Sequence, residues 1–277
     1  MRLARFATSG LDRVGYETAE ELVEVGLSWL EVLEAVTGRP EPRLPETGAR
    51  WPLAAARLLP PLDPHSRGLF CIGMNYADHS DETGSSLGPK STHPPFFLKP
   101  ASAMVGPNDD IDLRSAASSQ FDWEAELAVV IGKGGRRIDP DDVAGHIAGY
   151  TIVNDVTARD LQREHAQWLI GKSVDRSSPM GPWITTADEV PYPPQLEVSL
   201  AVNAYQKQNG NTGQMIHSIA DMISMVSQTI TLHPGDVFAT GTPSGVGFTR
   251  QPPEYLGPGD KMTTEIQGLG VLSNVIR

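Results

Sequence analysis

The sequence predicts a mainly β, α+β protein with a few helices, and three observations carry that reading. Short apolar and β-branched runs recur along the chain, each bounded by Gly, Pro, Asn or Asp, the pattern of strands ended by turns. With 27 glycines and 23 prolines among 277 residues, turn formers exceed ordinary usage and leave little room for long elements. Helical periodicity is confined to a handful of segments.

The first of these lies near the N-terminus. Leu22, Val23, Leu27, Leu30, Leu33 and Val36 recur at helical spacing, and Thr18 with Glu21 has capping-box spacing, so a helix is expected over Thr18 to Thr37, in one piece or as two meeting near Gly26. Pro40, Pro42 and Pro45 end it, and the Pro-rich stretch Pro60 to Pro64 follows. A boundary near residue 65 would divide a small N-terminal domain, residues 1–65, from a body, residues 66–277. Strands are expected at Leu69 to Gly73, Phe96 to Leu98, Leu127 to Ile131, Ile147 to Val153, Leu196 to Val202 and Asp236 to Ala239. Helices are expected at Pro140 to Ile147, from Ala158 to about Trp168, and at Ile219 to Ile230, the last behind Ser218 with Asp221 three residues on. No period of 20 to 50 residues repeats.

Charge narrows the partners. The net charge is −12 and no basic cluster offsets it, so neither nucleic acid nor an anionic membrane is expected to bind. Cys71 is the one cysteine, which excludes an internal disulfide and suits a reducing compartment. Met1 to Gly15 holds no apolar core of the secretory kind, and no apolar run reaches the ~20 residues of a spanning helix. A cytoplasmic protein acting on a small molecule is the expectation.

Acidic residues mark the chemistry. Glu124 and Glu126 stand two apart where Asp122 to Ile131 enters a strand, so both face one side, and the stretch behind them is wholly apolar. Two carboxylates ~7 Å apart resist such burial unless a cation lies between them, although a solvated strand end has the same spacing. Asp155 follows the apolar run ending at Val153; three carboxylates without a Cys or His cluster suit Mg²⁺ or Mn²⁺ rather than Zn²⁺. Asp155 or Thr157 could equally cap the helix that begins at Ala158. If Asn75 to Glu82 forms a helical turn, His79 and Glu82 share a face, and a carboxylate on one ring nitrogen makes the other a general base. The same pair is common on solvated helix surfaces. Lys99 and Lys172 are cations able to stabilise developing negative charge, or to sit in solvent. The Gly-rich turn Thr240 to Gly247 offers amides and hydroxyls for a carboxylate and lacks the lysine of a phosphate loop.

Together these segments resemble the fumarylacetoacetate hydrolase family. The matching pieces are Gly73 to His79, Phe97 to Ser102, Asp122 to Ala128, Asn154 to Gln162, Gly171 to Ser173, Gly181 to Trp183 and Thr240 to Pro243. The resemblance implies a mixed β-sandwich roll with a small N-terminal α/β domain, usually a homodimer. It implies metal ligands at Glu124, Glu126 and Asp155, holding Mg²⁺, with Mn²⁺ or Ca²⁺ able to take the same place. It implies a water-activating dyad of His79 and Glu82, with Lys172 and Gln162 contacting the reacting substrate. Substrate binding falls to Thr242, Gly241, Lys99 and Tyr76. Two departures stand out: Asn203-Ala204-Tyr205 at the hairpin after the Leu196 strand, where many relatives read Asn-Gly-Glu, and Thr83 to Pro95, which resembles the family's mobile lid.

The expected activity is hydrolysis of a carbon–carbon bond in a β-diketo acid of the acylpyruvate or fumarylpyruvate type, through a stabilised enolate. The same enolate supports decarboxylation or tautomerisation of oxaloacetate, or isomerisation of a 2-hydroxy diene dioate. A hydrolase of a diketo deoxy sugar acid and a metal-stabilised binding protein without turnover are the further alternatives.

Overall fold

The computed structural model describes residues 1–84, 93–114 and 117–277. The stretch expected to act as a lid lies largely outside the described residues. The chain opens with three antiparallel strands, β1 (Arg2–Thr8), β2 (Leu11–Thr18) and β3 (Glu21–Val25), then helix α1 (Trp29–Val36), β4 (Glu46–Pro52) and β5 (Arg57–Leu58). Next come β6 (Leu69–Ile72), helix α2 (Ala77–Thr83), β7 (Phe96–Lys99), β8 (Met104–Val105), β9 (Phe121–Asp122), β10 (Ala125–Ile131) and β11 (Ile147–Asn154). The remainder runs β12 (Thr157–Ala158), α3 (Arg159–Glu164), α4 (Leu169–Lys172), β13 (Ser178–Thr186), β14 (Glu197–Val202), β15 (Tyr205–Asn211), α5 (Ile219–Ser227), β16 (Val237–Ala239), β17 (Lys261–Ile266) and β18 (Gly270–Val275). Pro140–His146 is a 3₁₀ helix rather than an α-helix.

One large mixed sheet has the order β4-β3-β2-β1-β13-β11-β10-β16-β6-β7, and a four-stranded sheet, β15-β14-β17-β18, packs against it. The alternation along β10 shows how one apolar run serves two cores. Leu127 and Val129 join Val198, Leu200, Met262 and Leu272 of the small sheet and Met222 and Ile223 of α5. Ala128 and Val130 point the other way, to Trp29, Val32 and Leu33 of α1. At the centre of the large sheet both faces are therefore covered, which is why strands such as β10 and β11 carry no polar alternation. The N-terminal strands extend this sheet, since Arg2 and Leu3 of β1 pair with Thr185 and Ile184 of β13.

The expected helix from Thr18 is corrected. Thr18 and Glu21 face each other across a hairpin, with Ala19 at φ 55° in its turn, and Leu22, Val23 and Val25 are buried strand residues. The helix begins later, capped by Ser28, whose side chain accepts from Glu31 N–H while Glu31 reaches back. Thr157 is no cap either: its hydroxyl donates to Asp155 C=O, and α3 starts at Arg159 without a side-chain cap. The α5 capping box of Ser218 and Asp221 is present as expected. At the β14–β15 hairpin Asn203 and Ala204 take φ 53° and 65°, a two-residue turn of the kind that matches strand twist, held here with alanine where glycine is preferred. No helix among the described residues is long and apolar enough to cross a membrane.

Candidate active site

The site forms where the start of β10 meets the end of β11. These strands are antiparallel with Ala125 opposite Asn154, and the segments beyond them are tied together: Asp155 N–H donates to Glu124 C=O at 2.8 Å, and Glu124 N–H donates to the Asn154 side chain at 2.9 Å. Ligand oxygens of Glu124, Glu126 and Asp155 consequently lie within 4.8 Å of one another, and all three residues are buried.

Three buried carboxylates this close repel unless compensated. Lys172 Nζ lies 2.6 Å from Glu124 Oε2 and 2.8 Å from Asp155 Oδ2. Lys99 Nζ lies 2.7 Å from Asp155 Oδ1 and donates to Val156 C=O at 3.0 Å. Arg159, fully buried and stacked on the Phe248 ring at 4.3 Å, places Nη2 2.7 Å from Glu124 and Nε 2.8 Å from Asp122. Burial pushes the Glu124 carboxyl up, but Lys172 and Arg159 outweigh it and hold it at about 2. Burial likewise disfavours the Lys172 ammonium, and Asp155 and Glu124 reverse this and raise its proton affinity.

Glu126 is the exception. It accepts the Gly241 N–H at 2.8 Å and, among the described residues, pairs with no ammonium or guanidinium. Burial first, then Asp155 and Glu124, push its carboxyl well above the usual range. Ionised, the cluster sets four carboxylates (Asp122, Glu124, Glu126, Asp155) against three cations, so one negative charge is uncompensated in an all-oxygen donor set. That set fits a hard divalent cation.

His79 and Glu82 sit on α2, 2.8 Å apart from Nδ1 to Oε1. With Nδ1–H donated to the carboxylate, Nε2 keeps its lone pair. Glu82 is held in turn by Gly245 N–H at 3.0 Å and the Thr249 hydroxyl at 3.1 Å. His79, Glu124, Glu126, Gln162 and Lys172 line one small cavity of about 10 Å³, walled by Ile72, Phe97 and Trp168.

Gln162 accepts from Arg159 Nη1 at 3.0 Å through Oε1, which leaves its amide NH₂ as donor. Lys172 is placed by its neighbour Gly171, where a Cβ would lie 2.5 Å from Gln162 N and 2.8 Å from Ala158 O; α3 and α4 touch because that carbon is missing. Among the residues expected to bind substrate, Gly241 and Thr242 line the cavity, but the Thr242 hydroxyl already donates to Ala125 C=O and accepts from Gln208. Lys99 is completely buried, its ammonium shared between Asp155 and Val156, which makes it a partner of the acid cluster. Tyr76 is also fully buried, and its hydroxyl has no hydrogen-bond partner among the described residues.

Spacing alone singles out neither Arg159 nor Asp122 as a site residue. Asp122 sits two residues before Glu124, and Arg159 is one helical turn from Gln162. Their weight comes from burial, which spacing does not report: a buried guanidinium needs acidic partners, and here it finds Asp122 and Glu124.

A model of the fumarylacetoacetate hydrolase C-terminal domain matches residues 68–277. The oxaloacetate tautomerase YisK of Bacillus subtilis is 44% identical over 226 residues, 82% of this chain and 75% of that protein. The human mitochondrial oxaloacetate tautomerase FAHD2A is 41% identical over 262 residues, 94% of this chain and 80% of its own length. Among solved structures, fumarylacetoacetate hydrolase from Exiguobacterium antarcticum superposes with a TM-score of 0.84 at 38% identity, covering 100% of this chain and 99% of that one. The 2-hydroxyhepta-2,4-diene-1,7-dioate isomerase of Mycobacterium marinum gives 0.82 at 34% identity, covering 100% and 98%.

Proposed function

This chain belongs to the fumarylacetoacetate hydrolase family, and from that premise we propose that it is an enzyme interconverting the keto and enol forms of a short 2-oxo dicarboxylic acid of the oxaloacetate type. The observation that carries this reading is that His79, backed by Glu82, lines the same cavity as Glu124, Glu126 and Lys172. Tautomerisation needs a base beside an acidic C–H and a positive field around the oxygen that gains charge, and it needs no water. The names of the relatives weigh towards tautomerisation and isomerisation; one structural relative is named a fumarylacetoacetate hydrolase, and none of those compared is named for acylpyruvate hydrolysis.

Glu124, Glu126 and Asp155 would hold the divalent cation, Mg²⁺ by the hardness of the donor set, and when bound it supplies Lewis-acid polarisation of the 2-oxo group. His79 Nε2 removes the C3 proton, and Glu82 stabilises the imidazolium that results. Lys172 and the Gln162 amide donate toward the enolate oxygen. Proton return from His79 to C3 runs the reaction backward, and delivery to oxygen completes it. Ile72, Phe97 and Trp168 exclude water, which protects the enolate from stray protonation.

A second reading, cleavage of an acylpyruvate by water, draws on the same dyad, since an imidazole backed by a carboxylate also deprotonates water. The test follows the ultraviolet absorbance of enol-oxaloacetate with and without Mg²⁺, beside pyruvate release from a panel of acylpyruvates and from oxaloacetate. Rapid loss of the enol signal without pyruvate is the expected result. Pyruvate release from acylpyruvates without acceleration of enol decay would establish the second reading instead.

A further inference from the structure

The turn at residues 244–249 touches both halves of the site, and no role assigned above accounts for it. On one side Gly245 N–H donates to both oxygens of Glu82 at 3.0 and 3.1 Å, and the Thr249 hydroxyl lies 3.1 Å from Glu82 Oε2. Ser244 holds Asp78, the residue before His79, through its hydroxyl at 2.7 Å and its N–H at 3.3 Å. On the other side Gly247 N–H and Phe248 N–H donate to Asp122 at 2.7 and 3.1 Å. Asp122 takes Arg159, and Arg159 takes Glu124 and Gln162. Amides of one turn thus receive three carboxylates, Asp78 and Glu82 on the side of the base and Asp122 leading to the acid cluster.

The backbone is built for this. Gly245 has φ 104°, and a Cβ there would lie 2.1 Å from Lys207 C=O, so only glycine brings this N–H to Glu82. Trp123 Nε1 donates to Gly245 C=O at 3.1 Å and fixes the turn from the acid side. The Thr249 hydroxyl has one proton and two acceptors, Glu82 and Val246 C=O, both at 3.1 Å; the charged acceptor gives the stronger bond.

We propose that the 244–249 turn is the frame that sets the dyad against the acid cluster, and that Thr249 is a positioning residue which, through Glu82, fixes the tautomer and aim of His79. This rests on the reading of His79 and Glu82 as the proton-transfer pair. Thr249 touches neither Nε2 nor the cavity, so its influence passes through the carboxylate alone.

The experiment compares Thr249→Val, which removes the hydroxyl at nearly constant shape, with Thr249→Ser, which keeps it. Thr249→Val is expected to lower kcat for enol–keto interconversion about tenfold, the scale of one hydrogen bond to a charged group, with KM unchanged. Thr249→Ser should restore the rate, and Thr249→Val should add nothing in a Glu82→Gln background. In parallel, ¹H–¹⁵N spectra of His-labelled protein, with the His79 signal assigned by its loss in His79→Gln, report the Nδ1–H directly. That signal should be slow to exchange with solvent in the wild type and in Thr249→Ser, and exchange-broadened in Thr249→Val. A wild-type rate in Thr249→Val, equal impairment in Thr249→Ser, or multiplication of the two effects would overturn the proposal. If the wild type turns over no keto acid, the functional reading fails; the Nδ1–H signal then decides the positioning role, and its indifference to Thr249→Val would overturn it.

Discussion

The acid cluster and the proposed proton-transfer pair meet at one cavity, lined by Glu124, Glu126 and His79, but are built on opposite principles. Glu124, Glu126 and Asp155 stand at the ends of central strands covered on both sides, and each is at most 5% exposed. His79 and Glu82 ride on a seven-residue helix without a side-chain N-cap, and the Glu82 side chain is 20% exposed. A helix that short has no stability of its own; α2 is held by Asp78 and Glu82 docking on the 244–249 turn. A cation needs several ligands at once, which a sheet supplies rigidly, whereas a base needs one aimed nitrogen, which a docked turn of helix can supply. The two regions should therefore fail separately.

The largest effect is expected on the sheet side. Glu126→Gln should reduce turnover by about 10³-fold or more and abolish the rise in melting temperature expected of the wild type on adding Mg²⁺. A Mg²⁺ response equal to wild type in this variant would remove Glu126 from the ligand set. On the helix side, His79→Gln should lower the rate about 10² to 10⁴-fold, the range for loss of a general base, with the Mg²⁺-induced shift intact. Loss of both together would show that the regions are one unit.

The third test concerns protons. Because burial and its acidic neighbours raise the Glu126 carboxyl, the cation-free protein keeps a proton there above the usual carboxylate range. Binding of a divalent cation should expel it, so apparent affinity should weaken as pH falls. Calorimetry in buffers of different ionisation enthalpy reads the proton directly, and a binding heat independent of buffer would contradict the sign. The smallest change is Ser244→Ala, which removes one hydroxyl contact to Asp78 and should slow turnover a few-fold while leaving cation binding untouched.

The sequence displayed the body of the protein better than its start. The runs at Leu127 to Ile131 and Ile147 to Val153 read as strands because both faces are covered and no charged residue interrupts them. Leu22, Val23 and Val25 fit either period over so short a window, and pairing with β2 and β4, which no local signal reports, made them a strand. In the site, the gathering of Glu124, Glu126 and Asp155 and the facing of His79 and Glu82 could be read from spacing and family likeness. Arg159 and Asp122 could not be weighted so, because their importance lies in whom they neutralise across the fold. Lys99 showed the converse: as a bare residue it looked available for substrate, and its burial against Asp155 is a tertiary fact.

One consequence attaches to Gly171, a residue with no side chain to offer. A Cβ there would lie 2.5 Å from Gln162 N, so alanine would push α4 from α3 and carry Lys172 away from Glu124 and Asp155. Every ionisable group would survive in the sequence while the constellation was lost. In descendants of such a chain, a retired enzyme could keep all of its recognisable acids and bases, and residue 171 is the place where its silence would be written.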